Sequence, residues 1–480
     1  MADDLINEML RSILGETAPK SVNFAEINRD IIPVEGQRQD RIFSSNKEYD
    51  LTGIEVSDEY LAVEKVLTSG IPAAMFVTGE AGTGKSTMIH YLMNKMEGVA
   101  LVAPTAIAAT NIGGVTLHSF FGLSPAHCEP DDDIVIPMAK RIVLEKMTCL
   151  IIDEISMVSP NLIDVIDKIL RQARESHLPF GGVPVLFVGD LFQLPPVVSS
   201  QEESIFFSHR YHTRFFFSAN VFENINIVPV RLRQVRRQSD ATMTTALADI
   251  RIGHNLDVSL GLFNRECYLK RTGQPEQDNV HLVPTNSKAN EINSRMLAKL
   301  PGETFIYHAK TEGIKDISKW RLNVPSRLEL KVGAKVVFLK NNTPYWINGD
   351  TAVVVELAED KILVKLDRTD NALLVQKNSW HQLRYSYNYQ SRQLEKEIVA
   401  SFEQYPLAPG WALTIHKSQG MTLTDYTIDF STTPFDSGQV YVALSRAKTM
   451  ESIRLTYPVK KSFVKVESAI IQFYQKLGLL

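Results

Sequence analysis

The stretch AMFVTGEAGTGKSTMIHYLMNKM, residues 74–96, decides the fold of this chain. It opens with an apolar run typical of a buried strand and ends in a segment with helical character. Between them, GEAGTGKST matches the G-x-x-x-x-G-K-[ST] pattern, in which backbone N–H groups at a helix amino terminus wrap a phosphate. A chance glycine-rich turn is the alternative, and the strand and helix on either side argue against it. The stretch predicts a phosphate-binding loop in an α/β fold.

The residue types in this loop have expected roles toward a nucleotide. Lys85 can reach the β- and γ-phosphates, and the Ser86 hydroxyl can ligate Mg²⁺. ATP and Mg²⁺ are therefore the expected cofactors. The expected nucleotide contacts in the loop are Gly79, Gly82, Gly84, Lys85, Ser86 and Thr87.

A second apolar run ends in two adjacent acids, in LIIDEIS, residues 150–156. Adjacent carboxylates at a strand end are often only a solvated turn, but beside a phosphate loop they acquire separate tasks. Asp153 can hold Mg²⁺ through its water shell, and Glu154 can polarise an attacking water. This pair favours hydrolysis over transfer of the phosphate to a substrate hydroxyl.

A stiff loop follows a third apolar run, in FVGDLFQLPPV, residues 187–197. Proline fixes φ and restricts the residue before it, so Gln193 is held on a rigid loop at the end of a strand. In α/β proteins ligands bind at that edge of the sheet. We expect Asp190 to shape the loop and not to bind metal.

Length and composition limit the number of domains, the class of protein and its cellular location. The chain has 480 residues, 44% hydrophobic and 22% charged, which predicts two to four domains of roughly 100 to 200 residues each. Its three cysteines include no C-x-x-C pair, which argues against a disulfide scaffold or a cysteine-rich metal site. No apolar run is long enough to cross a membrane, and the acidic amino-terminal sequence is no targeting signal. We expect a cytoplasmic protein, or a nuclear or mitochondrial one in a eukaryote.

Strand-like and helix-like segments alternate along most of the chain, which predicts parallel sheets covered on both faces. Between about residues 330 and 377 short strands follow one another with no room for helices, which predicts a small antiparallel barrel inserted in the second α/β unit. The predicted divisions are an amino-terminal extension (1–50), a first α/β unit (51–230) with a short insertion near 123–138, a second α/β unit in two parts (231–325 and 401–480), and the inserted barrel (326–400).

The segment from Ser156 to Val197 strongly resembles superfamily 1B DNA helicases of the petite-integration-frequency type, and more distantly RecD-like helicases and phage DNA-dependent ATPases. Further motifs continue the resemblance in order. They are APTAIAATNIGGVTLHSFFGL (103–123), LRQVRRQ (232–238), LVPTNSKANEIN (282–293), LKVGAKVVFLKN (330–341), WINGD (346–350), ALTIHKSQGMTL (412–423) and QVYVALSRA (439–447).

The resemblance implies two RecA-like P-loop NTPase domains and an ATP-hydrolysing helicase. It further implies a motor that moves 5′ to 3′ on single-stranded DNA, associated with the nucleoid in a bacterium or phage, and that unwinds forked or partial-duplex DNA, DNA–RNA hybrids and G-quadruplexes. The insertion near 123–138 would then be the strand-separating wedge, and a solvated acidic loop is the alternative for that segment. The expected partner is DNA, with a monomer that can dimerise on it and no membrane.

By the same resemblance, Gln193 contacts the γ-phosphate and the attacking water. Arg237 reaches the γ-phosphate from the second unit, Arg446 is the arginine finger, and Gly420 lies at the nucleotide. One position departs from the family, which commonly has an adenine-reading glutamine where Tyr60 stands here. A tyrosine can stack on a base or donate one hydrogen bond, but it cannot pair with adenine through two bonds, so preference for ATP is not implied.

A strand-gripping surface needs donors for phosphates and flat side chains for bases. Candidates lie after strand ends or at helix starts in both units. The expected DNA contacts are Pro104, Thr105, Thr116, His118 and Phe120 in the first unit, and Thr285, Asn286, Thr414, His416, Lys417 and Ser418 in the second. A single residue of these types more often has a structural role. The similar arrangement of such residues in both units favours binding of a DNA strand.

Two other functions are compatible with the sequence. An ATPase of the AAA type that remodels protein partners would use the same phosphate loop, but it leaves the paired TLHSFF and TIHKSQG segments without a task. A DNA-binding subunit that has lost hydrolysis is the other, and the intact Lys85, Asp153, Glu154 and Arg446 argue against it.

Overall fold

A computed structural model of the chain describes residues 49, 51, 56–123, 129–198, 200–234, 240–268, 279–313, 324–340, 342, 345–346, 349–367, 372–388, 393–423 and 425–480. The extension predicted before residue 49, Arg237 and residues 124–128 of the predicted wedge lie outside this part of the chain. Within it, no helix is long and apolar enough to span a bilayer.

The first unit is a parallel sheet flanked by helices. Its strands are β1 (Ala74–Thr78), β2 (Val99–Ala103), β3 (Val115–Thr116), β4 (Cys149–Ile152), β5 (Val185–Val188) and β6 (Ile227–Arg231). Its helices are α1 (Asp58–Leu67), α2 (Lys85–Lys95), α3 (Ala106–Ile112), α4 (Leu117–Phe121), α5 (Met138–Lys146), α6 (Pro160–Ala173) and α7 (Gln201–Arg210).

The strand order is β3-β2-β4-β5-β1-β6, and every pairing is parallel. All residues of β1, β2, β4 and β5 are buried, because helices cover both faces, as the near-continuous apolar runs predict. The order places β5 between β4 and β1. The phosphate loop, the acid pair and the Gln193 loop therefore leave three adjacent strands at the same edge.

The second half starts with α8 (Ala241–Ile252), α9 (Leu256–Phe263), β7 (Val280–Val283) and α10 (Asn286–Lys299). An antiparallel region follows. Its strands are β8 (Phe305–His308), β9 (Lys310–Glu312), β10 (Arg327–Leu330), β11 (Lys335–Phe338), β12 (Thr351–Ala358), β13 (Lys361–Leu366), β14 (Ala372–Val375), β15 (Asn378–Asn388), β16 (Gln393–Gln404) and β17 (Leu407–Pro409).

These antiparallel strands form three small sheets, ordered β14-β13-β12-β11-β17, β10-β8 and β15-β16-β9. Inward-facing apolar residues of the five-stranded sheet, such as Val336, Val354 and Ile362, build a separate core with Trp346. The chain leaves this region through β17 at 407–409, somewhat beyond the predicted end at residue 400.

A second parallel sheet completes the fold, with the order β18-β7-β19-β20. Its later members are β18 (Ala412–Thr414), β19 (Tyr426–Ile428) and β20 (Ile453–Leu455), with helices α11 (Gln439–Leu444) and α12 (Ser468–Lys476). The fold class is thus α/β with two parallel sheets.

Helix α12 packs on the first unit, although it follows the strands of the second. Ile470 and Tyr474 belong to the first core, and the Tyr474 hydroxyl is 2.6 Å from the Thr78 hydroxyl at the end of β1. Phe473 stacks on Phe217 with ring centroids 4.2 Å apart. The division that assigns residues 401–480 to the second unit does not describe this contact.

Candidate functional site

The phosphate loop has the backbone that its glycines permit. Gly82 and Gly84 have φ of 86° and 89°, in the left-handed region that favours glycine. The ammonium of Lys85 donates to the carbonyls of Gly79 and Glu80 at 2.8 and 2.9 Å. Burial lowers the pKa of Lys85 from its ordinary value. Ser86, at the first turn of α2, is exposed and available to a ligand.

The acid pair lies directly beyond β4. Asp153 is only 6% exposed, and burial, with the neighbouring Glu154, raises its pKa. Burial also raises the pKa of Glu154, while the charges of Lys85 and Arg446 oppose that rise. Glu154 has φ of 49°, unusual for a residue other than glycine, and such backbone strain is found at functional sites.

The Gln193 loop is held by a buried ion pair. Asp190 is fully buried and accepts three hydrogen bonds of 2.8 to 3.0 Å from the Arg251 guanidinium of α8. That guanidinium lies 4.3 Å from the ring centroid of Phe192, which belongs to the same loop, and 5.5 Å from that of Tyr474. Asp190 therefore shapes the loop.

A glutamine of the second unit reaches both expected hydrolytic groups. Gln419 follows β18, and its side-chain nitrogen donates to Glu154 Oε2 at 3.0 Å and to Gln193 Oε1 at 3.5 Å. The TIHKSQG motif indicates that this segment is functional, but no pattern in the sequence singles out Gln419 within it. Its neighbour Gly420, expected at the nucleotide, is exposed and has φ of 80°.

Helix α11 touches the site at two points. At its start, Gly438 contacts the Gln193 loop so closely that a Cβ there would lie 2.3 Å from the Gln193 carbonyl oxygen. In its middle, the Tyr441 hydroxyl accepts a hydrogen bond from the Ala81 amide of the phosphate loop at 3.0 Å. The motif gave no separate signal for either contact.

Arg446 lies just beyond α11 and is 2% exposed. It donates to the carbonyls of Val442, Ser418 and Met421 at 2.9, 3.3 and 3.3 Å. These bonds hold the guanidinium beside the Gln419 segment and near Glu154, whose pKa its charge lowers.

Tyr60 lies under the phosphate loop. The residue is only 3% exposed, and its hydroxyl donates to the Gly84 carbonyl at 2.8 Å. Its expected stacking on a base stays a prediction.

In the first unit, two of the expected DNA contacts cap helices. Thr105 accepts from the Ala108 amide at the start of α3, and Thr116 accepts from the Ser119 amide at the start of α4. Pro104 and His118 are partly exposed beside them. Phe120, in contrast, is only 3% exposed and packs in the first core, so its ring is directed inward.

The second unit repeats this arrangement. Thr285 accepts from the Lys288 amide at the start of α10, Asn286 is exposed in its first turn, and Thr414 accepts from the Lys417 amide. Lys417 is exposed. The threonine-capped turns of both units thus lie where the sequence placed them.

Two side chains of the TIHKSQG segment differ in their exposure. His416 is stacked with Phe435, with ring centroids 6.0 Å apart, and Phe435 is 56% exposed. Ser418 is fully buried, and its hydroxyl donates to the Ile415 carbonyl at 2.8 Å. The Ser418 side chain therefore faces the protein interior.

The described part of the predicted wedge is anchored to the first unit. Arg210 of α7 pairs with Asp131 at 2.6 Å, and Lys168 of α6 donates to the carbonyls of Pro130 and Asp132. Val135, 87% exposed, projects from this segment.

Comparison with known proteins finds relatives that cover most of the chain. A model of the PIF1-like helicase family matches residues 57–255. The ATP-dependent DNA helicase Pif1 of Bdellovibrio bacteriovorus is 32% identical over 435 residues, which cover 88% of this chain and 92% of that protein.

Two solved structures are similar over nearly the same span. Pif1 of Bacteroides sp in complex with ADP-AlF4 has a TM-score of 0.78 at 33% identity, covering 89% of this chain and 98% of that one. Pif1 from Bacteroides with ADP-AlF3 and single-stranded DNA has a TM-score of 0.67 at 34% identity, covering 89% and 99%.

Proposed function

This chain belongs to the PIF1-like helicase family, and from that premise we propose that it is an ATP-dependent DNA helicase whose two parallel-sheet units close on a nucleotide and move along single-stranded DNA. The family's named activity, ATP-dependent DNA unwinding, is the activity of this chain. The proposal concerns how its residues perform that activity.

The contact of Gln419 with Glu154 and Gln193 carries the proposal. Gln419 lies two residues after Lys417 and three after His416, both expected to grip DNA. One short segment therefore touches the strand-binding surface on one side and the hydrolytic carboxylate on the other. A shift of this segment on DNA binding changes the hydrogen bonds of Glu154, which links hydrolysis to movement.

The chemistry follows from the groups at the cleft. Lys85 binds the β- and γ-phosphates, Glu154 accepts a proton from the attacking water, and Gln193 orients that water against the γ-phosphate. Arg446 neutralises the charge that develops on the transferred phosphoryl group, and Arg237 assists from the same unit. Because these arginines belong to the second unit, closure of the cleft completes the site.

Mg²⁺ fits the residues of this site. Asp153 is buried and Glu154 beside it is half-buried, and the pKa values of both carboxyls are raised, which is the electrostatic sign of a place that favours a cation. The Ser86 hydroxyl, next to Lys85 in the phosphate loop, is exposed. When bound with the nucleotide, Mg²⁺ supplies charge neutralisation on the phosphates. Ser86 and Asp153 would hold it.

The two threonine-capped turns of each unit are the proposed grips. Backbone N–H groups and hydroxyls at Thr105, Thr116, Thr285 and Thr414 bind successive backbone phosphates, and alternate closing and opening moves the strand between the units. The proposed direction is 5′ to 3′. The anchored acidic segment at 129–138 separates the strands of a fork.

The five-stranded antiparallel sheet is proposed to close into a small barrel with its neighbours around the core of Val336, Val354 and Trp346.

DNA–RNA hybrids and G-quadruplexes are proposed as further substrates. Two copies of the chain are proposed to cooperate at a fork.

Two measurements test the proposal. The first is the ATPase rate with and without single-stranded DNA, which we expect to rise on DNA addition. The second is unwinding of partial duplexes that carry either a 5′ or a 3′ tail, where only the 5′-tailed substrate should open. Lys85→Ala should abolish both activities and retain DNA binding.

An ATPase rate indifferent to DNA would overturn the motor and favour an ATPase that remodels proteins. Unwinding from a 3′ tail alone would keep the helicase and reverse its polarity.

A further inference from the structure

Tyr60 of α1 stands where relatives commonly have a glutamine that reads the adenine base. In this structure Tyr60 is only 3% exposed, and its hydroxyl donates to a backbone carbonyl of the phosphate loop at 2.8 Å. The ring packs in the core cluster on the outer face of the first sheet, beside Tyr91.

The carbonyl that Tyr60 binds has two acceptor sites, and both are used. The Gly84 oxygen accepts the Tyr60 hydroxyl at 2.8 Å and the Met88 amide, the first helical bond of α2, at 2.9 Å. Two donors from different directions fix the orientation of this carbonyl, where one donor would leave it free to tilt.

Fixing this carbonyl also fixes an amide. A trans peptide is planar, and its C=O and N–H point in opposite directions. The Gly84 carbonyl points toward Tyr60, under the loop, so the Lys85 N–H of the same peptide points into the loop, where a phosphate binds.

The Tyr60 hydroxyl can approach the Gly84 carbonyl only because glycine has no side chain. A Cβ at residue 84 would lie 2.8 Å from the Tyr60 hydroxyl, and the φ of 89° is itself one that other residues rarely adopt. The hydroxyl thus occupies the space that glycine leaves.

We propose that Tyr60 is a positioning residue of the phosphate loop that strengthens binding of any nucleoside phosphate, whatever its base. Its hydroxyl acts on the nucleotide through the Gly84–Lys85 peptide and makes no contact with the base. The inference rests on the proposed function only in requiring that the loop binds a nucleotide.

Equilibrium binding of ribose-labelled fluorescent ADP and GDP to full-length Tyr60→Phe tests the proposal. The variant keeps the ring and its packing and removes one hydroxyl. We expect both affinities to fall by the same factor, about 3- to 10-fold, the effect of one hydrogen bond. Displacement by pyrophosphate, which has no base, should weaken by that factor as well.

Tyr91→Phe is the matched control. Tyr91 is a neighbouring buried tyrosine whose hydroxyl donates to Glu64 at 2.5 Å, and Glu64 lies on α1, away from the loop. Removing this hydroxyl can lower the melting temperature but should leave nucleotide and pyrophosphate affinities unchanged.

Two results would overturn the proposal. A loss of ADP affinity with GDP and pyrophosphate unaffected would make Tyr60 a base reader. Unchanged affinities for all three ligands, with a fall in melting temperature like that of Tyr91→Phe, would make it a purely structural residue. Because these assays need neither DNA nor hydrolysis, failure of the helicase function would show separately, in the DNA-stimulated ATPase.

Discussion

The side-chain nitrogen of Gln419 lies 3.0 Å from a carboxylate oxygen of Glu154, although the two residues follow strands of different parallel sheets. Glu154 follows β4 of the first sheet, and Gln419 follows β18 of the second. The residue expected to activate water is therefore oriented by the unit that lies across the cleft.

Gln419→Ala should reduce the DNA stimulation of the ATPase by about 10-fold or more, because Glu154 then lacks the donor that orients it. Steady-state ATPase rates over a series of single-stranded DNA concentrations measure this effect. Gln475→Ala, which removes an exposed glutamine of α12, is the control. Full stimulation in Gln419→Ala would contradict the linkage.

Gly438→Ala should slow ATP hydrolysis by about 10- to 100-fold, since an added Cβ would lie 2.3 Å from the Gln193 carbonyl oxygen and would displace the loop. Gly478→Ala carries a similar backbone cost, with φ of 66°, but has no atom within 4 Å of the added Cβ. Measuring kcat for both variants separates the clash from the backbone strain. Equal rates in the two variants would refute the contact.

Arg251→Ala should lower the free energy of unfolding by about 3–5 kcal/mol, because it leaves the fully buried Asp190 without its partner. Lys461→Ala removes one side of the exposed pair with Asp257 and should cost about 0–1 kcal/mol. Denaturant unfolding of both variants gives the comparison. A small loss in Arg251→Ala would mean that water or another cation replaces the guanidinium.

Asp153→Asn should stabilise the nucleotide-free protein increasingly as the pH rises. Burial and Glu154 raise the folded pKa of Asp153 to about 7 from an ordinary 3.8, so the cost that its ionisation adds to folding is absent below 3.8, grows as the pH rises between these two values and is complete above about pH 7. The gain should be on the order of 1–2 kcal/mol at about pH 5 and 2–4 kcal/mol at about pH 8. ATP hydrolysis should be lost at both values.

Thermal unfolding of Asp153→Asn and the parent protein at both pH values tests this expectation. Asp133→Asn, at an exposed acid, should show no such trend. A gain that is equal at the two pH values would indicate that charge is not its cause.

Local sequence patterns predicted those parts of the site that are formed by consecutive residues of one segment. The phosphate loop, the acid pair and the Gln193 loop each follow an apolar strand, and the sheet order brings those three strand ends together as parallel topology requires. The threonine caps of α3, α4, α10 and the turn after β18 were predictable for the same reason, since a cap is a property of a few adjacent residues.

Contacts between distant segments were not predictable from one sequence. The pairs Arg251 with Asp190 and Gln419 with Glu154 join residues that lie 61 and 265 positions apart, and no local pattern records which partner each will meet. Phe120 and Ser418 show the converse. Their motifs favour DNA contact, while their side chains are buried, because a short helix and a tight turn leave some residues facing the core.

The packing of α12 also means that the first unit cannot complete its core until α12 has been synthesised. The ribosome makes Tyr474 396 positions after its hydrogen-bond partner Thr78, so the first sheet lacks part of its core until almost the whole chain described here has been synthesised. A premature stop before α12 would therefore destabilise the first unit, although all six strands of its sheet had already been synthesised. The ATP-binding half therefore completes its core only with a helix that is made after the whole second parallel sheet.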